Sequence, residues 1–281
     1  MALPKYCTPM ERIGFAGFKL YCAAVLFFLV APIIIIVPLS FNATPYFSFT
    51  EGMLTLDPSA YSLRWYQDMI DNPQWFAALK NSTYVAVAAT LIATILGTVA
   101  ALGLANSKMP FRNAVLALLI SPMIVPVIIS AAGMYFFYTR FGLSQTYLGI
   151  ILAHAALGTP FVVITVTATL SGFDHSLVRA GASLGATPVY TFFTVTFPLI
   201  RPGVISGGLF AFGTSFDEVV VALFITGVEQ RTVPRQMWSG IREQISPTIL
   251  AVASVLILMS VMLLLTLELL RRRNARLRGL S

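Results

Sequence analysis

Two adjacent carboxylates, Asp217 and Glu218, lie within a strongly apolar stretch of the chain, shortly after Ser215. An ionised carboxylate inside a bilayer costs about 2.5 to 3.5 kcal/mol, and a second one beside it adds to that cost. Acidic residues in such a position face a water-filled cavity or pair with a cation. The pair therefore predicts a site for a positively charged group, unless both acids lie at the outer membrane interface and are merely solvated.

The surrounding sequence has the composition of a protein that crosses a membrane several times. Of its 281 residues, 57% are hydrophobic and only 10% are charged, which excludes a soluble domain. A helix that crosses a hydrocarbon core of about 30 Å needs about 20 apolar residues. Apolar segments of that length occur at residues 20–41, 81–105, 114–138, 147–172, 203–226 and 247–270. We expect an all-α polytopic membrane protein with about six transmembrane helices, forming one domain over residues 1–281.

Two of these spans carry small side chains at every fourth position. In the span that holds the acids, these residues are Gly203, Gly207, Ala211 and Ser215. In the second span, they are Ala89, Ala93, Gly97, Ala101 and Ala105. Small residues let helix backbones approach closely in lipid, so both rows predict helix contacts. At about 100° per residue, Asp217 points away from its row and Glu218 lies at the edge of it.

Two further spans contain residues that are unusual inside a membrane. Pro122 and Pro126 interrupt the span at residues 114–138, and interior prolines free carbonyl groups that neighbours or cavity water must satisfy. They predict a kinked helix, which either borders a pathway or is a packing kink alone. His154 lies in the span at residues 147–172 without a charged neighbour. We interpret it as a hydrogen-bonded packing residue rather than a ligand.

The segment between the fourth and fifth spans, residues 174–202, is too interrupted to cross a bilayer, and we call it the central loop. Its first half predicts a short helix with Asp174 or Ser176 as the N-cap and Gly185 as the stop. An apolar stripe follows this helix at helical spacing. The stripe consists of Leu177, Ala180 and Leu184.

A second short helix is predicted after Gly185. Thr187 is suited to be its N-cap, with Pro188 at the first helical position. Pro198 and Pro202 are expected to end it before the next span begins. The central loop is thus predicted to be a helix, a glycine turn and a second helix. The simplest alternative is an amphipathic elbow that binds no partner.

Basic residues are distributed unequally between the two sides of the predicted spans. On the side of the central loop lie Lys5, Arg12, Lys19, Lys108, Arg112, Arg179, Arg201, Arg271, Arg272, Arg273, Arg276 and Arg278. The opposite side has fewer basic residues, and acids balance them. This excess places both termini and the central loop in the cytoplasm. The net charge of +7 follows from topology and from anchoring to lipid headgroups, and it does not indicate nucleic-acid binding.

Two loops are predicted on the outer side, at residues 42–76 and 227–246. Each contains a segment with the pattern of an amphipathic helix, at residues 61–70 and 235–244. The first loop is either a linker on the membrane surface or a docking face for a soluble protein.

Several motifs of enzymes are absent from the sequence. It contains no G-x-x-x-x-G-K-[ST] phosphate-binding loop, so the chain does not bind ATP through a P-loop of its own. It also contains no G-x-S-x-G elbow, no H-E-x-x-H and no cluster of His and Cys that would hold a metal. We therefore expect no catalytic residue, no cofactor and no metal in this chain.

The central loop resembles the EAA loop of binding-protein-dependent ABC importer permeases, whose pattern is E-A-A-x-x-x-G followed after nine residues by I-x-L-P. Aligned on Gly185, the family Glu falls on Arg179 and the two Ala fall on Ala180 and Gly181. The family Pro falls on Pro198. The resemblance implies a type I ABC importer permease fold in which this loop is the coupling helix, lying in a groove of a separate ATPase.

The residues around the acids carry a more specific resemblance. Residues 215–227 read S-F-D-E-V-V-V-A-L-F-I-T-G, and they are followed by T-V-P at 232–234 and M-W at 237–238. This run looks like the second permease subunit of spermidine/putrescine ABC importers, which has S-x-D-[DE]-V-V-V and F-[IV]-T-G here. In that family the Ser and the paired acids are implicated in polyamine uptake. They fall on Ser215, Asp217 and Glu218.

Together these resemblances imply one half of the channel of an ATP-driven importer in a bacterial inner membrane. The implied partners are a second permease subunit, two copies of an ABC ATPase that bind ATP, and a periplasmic substrate-binding protein. The implied solute is a small cation, foremost a polyamine, although related permeases move opines and amino-acid derivatives.

Two alternative functions, an enzyme and a secondary transporter, remain open. A membrane-embedded enzyme could use Asp217 and Glu218 as an acid and base, but the sequence shows no nucleophile or metal site for it. A proton-coupled secondary transporter could use the same acids, but we find no convincing internal repeat.

Overall fold

The computed structural model of the chain describes residues 8–105, 109–243 and 246–277. Lys5, Lys108 and Arg278, three of the basic residues predicted on the side of the central loop, lie outside these ranges. The helices are α1 Pro9–Leu39, α2 Glu51–Leu54, α3 Arg64–Asp71, α4 Pro73–Ala105, α5 Arg112–Ile124, α6 Val127–Arg140, α7 Tyr147–Ser171, α8 Ser176–Ser183, α9 Pro188–Thr191, α10 Phe197–Asp217, α11 Val220–Ile225, α12 Val233–Glu243 and α13 Thr248–Leu277. A 3₁₀ turn at Pro58–Ala60 and a π-helical turn at Phe192–Thr196 complete the helical elements.

Within the described residues, the helices long and apolar enough to cross a membrane agree with the predicted spans in number. Five single helices qualify, and α5 with α6 makes a sixth if the bent pair is one span. The prediction of an all-α, polytopic membrane protein is confirmed. The second span begins earlier than predicted, because α4 starts at Pro73 and shortens the preceding loop.

The third predicted span, at residues 114–138, is broken rather than kinked. The axes of α5 and α6 differ by 103°. Pro122 lies inside α5, but the break is at Val125, whose extended backbone is the conformation that the following Pro126 favours. A proline within a helix only bends it, whereas an extended residue before a proline allows the chain to change direction.

Contacts between residues divide the chain into two compact units. The first comprises residues 1–71 and 245–261, and its loop after α1 is organised by the fully buried Asn42. The Asn42 amide donates to the carbonyls of Tyr46 and Ser48, and the Trp65 indole donates to the Asn42 carbonyl at 2.7 Å. This folds the loop onto α3, the observed counterpart of the amphipathic helix predicted at residues 61–70.

The second unit comprises residues 72–244 and 262–281, and its core is formed by α4, α7 and α10. The small residues predicted to allow close contact do so. A Cβ atom on Gly97 would lie 2.6 Å from Cβ of Val162, and one on Gly207 would lie 2.7 Å from Cα of Val162. Val162 of α7 is thus held between α4 and α10, and a larger residue at either glycine would push the helices apart.

The outer loop after α11 is bound to the ends of α4 and α7. The Asn81 amide donates to the carbonyls of Glu229 and Arg231, and the Tyr147 hydroxyl donates to Oδ1 of Asn81 at 2.8 Å. The loop leads into α12, which starts two residues before the predicted amphipathic helix and includes Pro234 in its first turn. A proline is accepted there because the first turn has no backbone N–H bond to lose.

Candidate functional site

The acidic pair lies at a break in the fifth predicted span. Residues 203–226 were expected to form one helix, but α10 ends at Asp217 and α11 begins at Val220. Glu218, between them, has an extended backbone. The prediction of a continuous span is therefore wrong. The break changes the setting of the acids, because a helix end inside a membrane protein exposes backbone groups that must be satisfied locally.

Glu218 satisfies part of that requirement. Its Oε1 accepts a hydrogen bond from the backbone N–H of Val221 at 3.0 Å, which caps the first turn of α11. A carboxylate at a helix N-terminus is also favoured by the helix dipole. Glu218 thus has a structural role in starting α11.

Asp217 differs from its neighbour in both exposure and bonding. Its side chain is exposed, whereas Ser215 and Phe216 are buried. Among the described residues, none donates a hydrogen bond to its carboxylate. The helical-wheel prediction that Asp217 points away from the small-residue row of α10 agrees with this exposure. The Asp217 carboxylate is available to a cationic group.

Ser215 is linked to a histidine that sequence reasoning did not assign to the site. Oγ of Ser215 and Nδ1 of His154 are 2.8 Å apart in a buried hydrogen bond between α10 and α7. The prediction that His154 is a hydrogen-bonded packing residue agrees with this contact. Its Nε2 atom is buried and has no hydrogen-bond partner within the described part of the chain. The only sequence signal for this pair was an isolated histidine in an apolar span.

The described residues contain no group of three or more His, Cys, Asp and Glu side chains arranged to hold a metal ion. Ser215 and His154 are buried and hydrogen-bonded to each other, on the side of α10 away from Asp217. The exposed Asp217 carboxylate is suited to reversible binding of an ammonium group by charge.

The central loop begins with the short helix that the sequence predicted, but its N-cap residue is His175 and not Asp174 or Ser176. Asp174 accepts hydrogen bonds from the backbone N–H and the hydroxyl of Ser176 at 2.8 and 2.7 Å. The Ser176 hydrogen bonds, with a smaller contribution from the nearby Arg179 and His175, lower the pKa of Asp174 below its usual value. An ionised Asp174 therefore supports the start of α8.

Gly185 ends α8 as predicted. Its φ of +81° is in the left-handed region that favours glycine. The N–H of Gly185 donates to the Ala182 carbonyl and that of Ala186 to the Gly181 carbonyl, both at 3.0 Å, which is a Schellman motif. The predicted cap of the second helix is also present, because Thr187 Oγ1 accepts from the N–H of Tyr190.

The second half of the central loop is longer than predicted. Pro198 and Pro202 were expected to end a short helix, but Pro198 lies in the first turn of α10 and Pro202 lies inside it. The π-helical turn Phe192–Thr196 joins α9 to α10, so residues Pro188–Asp217 form one helical run of 30 residues. The extra residue in a π turn realigns the backbone, and this lets helical structure continue through the prolines. The central loop and Asp217 thus lie at opposite ends of one helical run.

The residues that align with the EAA pattern have different surroundings. Arg179, Ala180, Gly185 and Pro198 are exposed. Gly181 instead faces α9, where a Cβ atom would lie 3.2 Å from Oγ1 of Thr191. The predicted apolar stripe does not pack inside this chain. A broader exposed apolar surface, which we call the loop face, consists of Leu177, Leu184, Val189, Tyr190 and Phe193.

Two permeases of polyamine transport systems align with most of this chain. It is 31% identical over 247 residues to the spermidine/putrescine transport system permease protein PotC of Haemophilus influenzae, covering 88% of this chain and 93% of the relative. It is 30% identical over 237 residues to the putrescine transport system permease protein PotI of Escherichia coli, covering 82% of each.

Solved structures share the fold. A chain in the crystal structure of a bacterial ABC transporter involved in import of the acidic polysaccharide alginate matches with a TM-score of 0.70 at 14% identity, covering 96% of this chain and 99% of that one. A chain of the bacterial alginate transporter in complex with an alginate pentasaccharide-bound periplasmic protein matches with a TM-score of 0.64, also at 14% identity, covering 94% and 96%. The predicted ABC permease fold is confirmed.

Residues 93–276 match the family described as binding-protein-dependent transport system inner membrane component. That region contains both the central loop and the residues around Asp217. The chain belongs to this family of multi-pass membrane permeases.

Proposed function

We propose that the chain forms one half of the pathway of an ATP-driven importer for a small cationic solute, a polyamine such as spermidine or putrescine. The observation that carries this proposal is the exposed Asp217 carboxylate at the break between α10 and α11, to which no described residue donates a hydrogen bond. The polyamine relatives support the class of solute, because the PotC and PotI proteins are named for spermidine and putrescine transport.

In this proposal, Asp217 provides the charge that attracts an ammonium group. Ser215 lies two residues before Asp217 on the buried side of α10, and its hydrogen bond to His154 fixes this end of α10 against α7. Glu218 contributes a negative charge nearby, while its carboxylate caps α11. A single carboxylate in a partly hydrated setting binds an ammonium group weakly enough to release it, which transport requires.

The energy for transport comes from ATP hydrolysis by a partner ATPase. That subunit binds the ATP, and this chain needs no cofactor of its own. The loop face offers the docking surface, since its apolar side chains are exposed, with Leu184 at 88%. Arg179, Ala180 and Gly185 are also exposed in the same loop, Gly181 packs against Thr191 of α9, and Pro198 lies in the first turn of α10. Two copies of the ATPase would bind the pair of permease subunits.

The topology follows from the charge distribution. Both termini and the central loop face the cytoplasm, where the ATPase is found, and the outer loops predicted at residues 42–76 and 227–246 face the periplasm. There a periplasmic binding protein delivers the solute, and a second permease subunit completes the pathway. One solved relative is described as bound to a periplasmic protein, which supports this arrangement.

The direct test is uptake of radiolabelled spermidine by cells that express the complex with Asp217→Asn. Loss of the charge is expected to lower uptake about tenfold or more, because hydrogen bonds to charged groups are worth about 1.5 to 3 kcal/mol. Asp71→Asn, an exposed acid at the end of α3, is the matched control and should transport normally. Unchanged uptake by Asp217→Asn, with the complex assembled at normal levels, would remove this acid from the pathway.

A further inference from the structure

A cavity of about 480 Å³ lies beside the central loop, within the second compact unit. Its apolar wall includes Leu102 near the end of α4, Leu170 near the end of α7, and Phe173 in the turn that follows. Its polar groups include the side chains of His175, Arg179 and Thr196. The cavity therefore has an apolar wall and a basic rim.

The position of the cavity relates it to the membrane surface. Leu102 and Leu170 lie in the final turns of two helices that qualify as membrane spans, α4 and α7. Both span ends line the same cavity, so it lies at the level where the hydrocarbon core gives way to lipid headgroups. Molecules at that level have a polar headgroup joined to an acyl chain.

The charges around the cavity favour an anionic headgroup. Arg179 and His175 line it and are exposed, so their polar ends are free to meet a ligand. Arg112 does not line the cavity, but its Nε donates to the carbonyl of Leu104, between the lining residues Leu102 and Ala105, at 2.6 Å. Asp174 is the acid near Arg179 and His175, and both of its carboxylate oxygens already accept hydrogen bonds from Ser176.

Arg179 is also the position at which this chain departs from the EAA pattern, which has Glu there. A guanidinium group binds phosphate through paired N–H donors, whereas a carboxylate would repel it. Basic pockets between transmembrane helices are typical sites for the headgroups of acidic lipids. The substitution therefore changes the charge of the cavity rim in the direction that favours a phosphate.

We propose that this cavity binds an anionic phospholipid, with its phosphate at Arg179 and His175 and part of an acyl chain along Leu102, Leu170 and Phe173. The proposal concerns a lipid site and does not depend on the identity of the transported solute.

The test is native mass spectrometry of the detergent-purified complex titrated with phosphatidylglycerol, with phosphatidylcholine, a zwitterionic lipid of zero net charge, as the comparison. Arg179→Gln is expected to weaken binding of the tightest phosphatidylglycerol about fivefold, the effect of losing one basic residue near a membrane surface. Arg179→Lys should keep most of the binding. Ala105→Phe, which fills the cavity from the end of α4, should also weaken it. Arg201→Gln, an exposed arginine on α10 that does not line the cavity, is the matched control and should bind as the unmodified chain does.

Equal phosphatidylglycerol binding by Arg179→Gln and the unmodified chain would overturn the proposal. Equal affinity for phosphatidylcholine would also overturn it, because the basic rim would then have no role. A third arm adds inorganic phosphate at millimolar concentration. Phosphate that binds to the complex when phosphatidylglycerol does not would show a free-anion site and would overturn the proposal, whereas lipid that stays bound in the presence of phosphate would support it.

Discussion

Asp217 and Glu218 are adjacent in the chain but are held in different ways. Glu218 accepts a hydrogen bond from the N–H of Val221, while Asp217 is exposed and receives none from the described residues. The difference arises because α10 ends between them. A substitution at Glu218 should therefore act first on stability, and one at Asp217 should act first on transport.

For Glu218, the informative pair of variants is Glu218→Gln and Glu218→Ala. The glutamine retains an oxygen that can accept from Val221, whereas alanine leaves that N–H without its cap, at a cost of about 1 kcal/mol. We expect Glu218→Ala to lower the thermal midpoint of the purified complex by a few degrees and Glu218→Gln to lower it less. Equal destabilisation by both variants would show that charge, and not the cap, is what Glu218 contributes.

The hydrogen bond between His154 and Ser215 predicts energetic coupling between α7 and α10. We expect His154→Phe and Ser215→Ala each to raise the KM for spermidine, and the double variant to be little worse than either alone, because both remove the same contact. A coupling energy of about 1 kcal/mol is typical of residues in direct contact. The measurement is initial uptake rates over a range of spermidine concentrations in the four proteins.

Ser254→Ala is a suitable control for that cycle, because Ser254 is a buried serine on α13 whose hydroxyl has no partner among the described residues. Strictly additive effects of His154→Phe and Ser215→Ala would mean that the two side chains act independently.

At the scale of elements, the positions of the spans were predictable and their interruptions were not. The length and composition of the apolar segments are sufficient to locate a membrane helix, so α1, α4, α7 and α13 overlap the predicted spans, although α1 and α4 begin earlier than predicted. The rows of small residues also indicated contacts correctly, since Gly97 and Gly207 pack against Val162. Local sequence encodes these features directly.

The two breaks depend on information that a hydropathy pattern does not contain. The third span turns by 103° at Val125, and the fifth ends at Asp217 within an apolar run. Conversely, Pro198 and Pro202 predict the end of a helix, but the helix continues through them after a π-helical turn. At the end of α10, the hydrogen bond of Ser215 to His154 joins residues from different parts of the chain, and the Glu218 carboxylate caps α11 locally.

The turn at Gly185 allows a test of the central loop as an element. A side chain at φ +81° is strained, so Gly185→Ala should destabilise the Schellman turn by about 1 kcal/mol and misplace α8 relative to α9. We expect substrate-stimulated ATP hydrolysis by the complex to fall several-fold. Gly172→Ala is the matched control, because Gly172 follows α7 with φ −96° and has open space around it. Normal stimulation in Gly185→Ala would count against docking of an ATPase through this loop.

At the scale of the whole molecule, one helical run connects the loop face with Asp217. Residues Pro188–Asp217 extend from the loop face to the acid, a distance of about 45 Å for a helix of 30 residues. A displacement of the central loop by a partner would be passed along this run to Asp217. The π-helical turn at Phe192–Thr196 is the point at which the run can adjust.

The most direct test of the proposed function is spermidine uptake by the purified complex in proteoliposomes that also receive the binding protein. We predict that uptake of radiolabelled spermidine requires ATP on the side of the central loop, is competed by putrescine and does not respond to a proton gradient. Uptake driven by a proton gradient in the absence of ATP would contradict the account, and it would make Asp217 a residue of a secondary transporter instead.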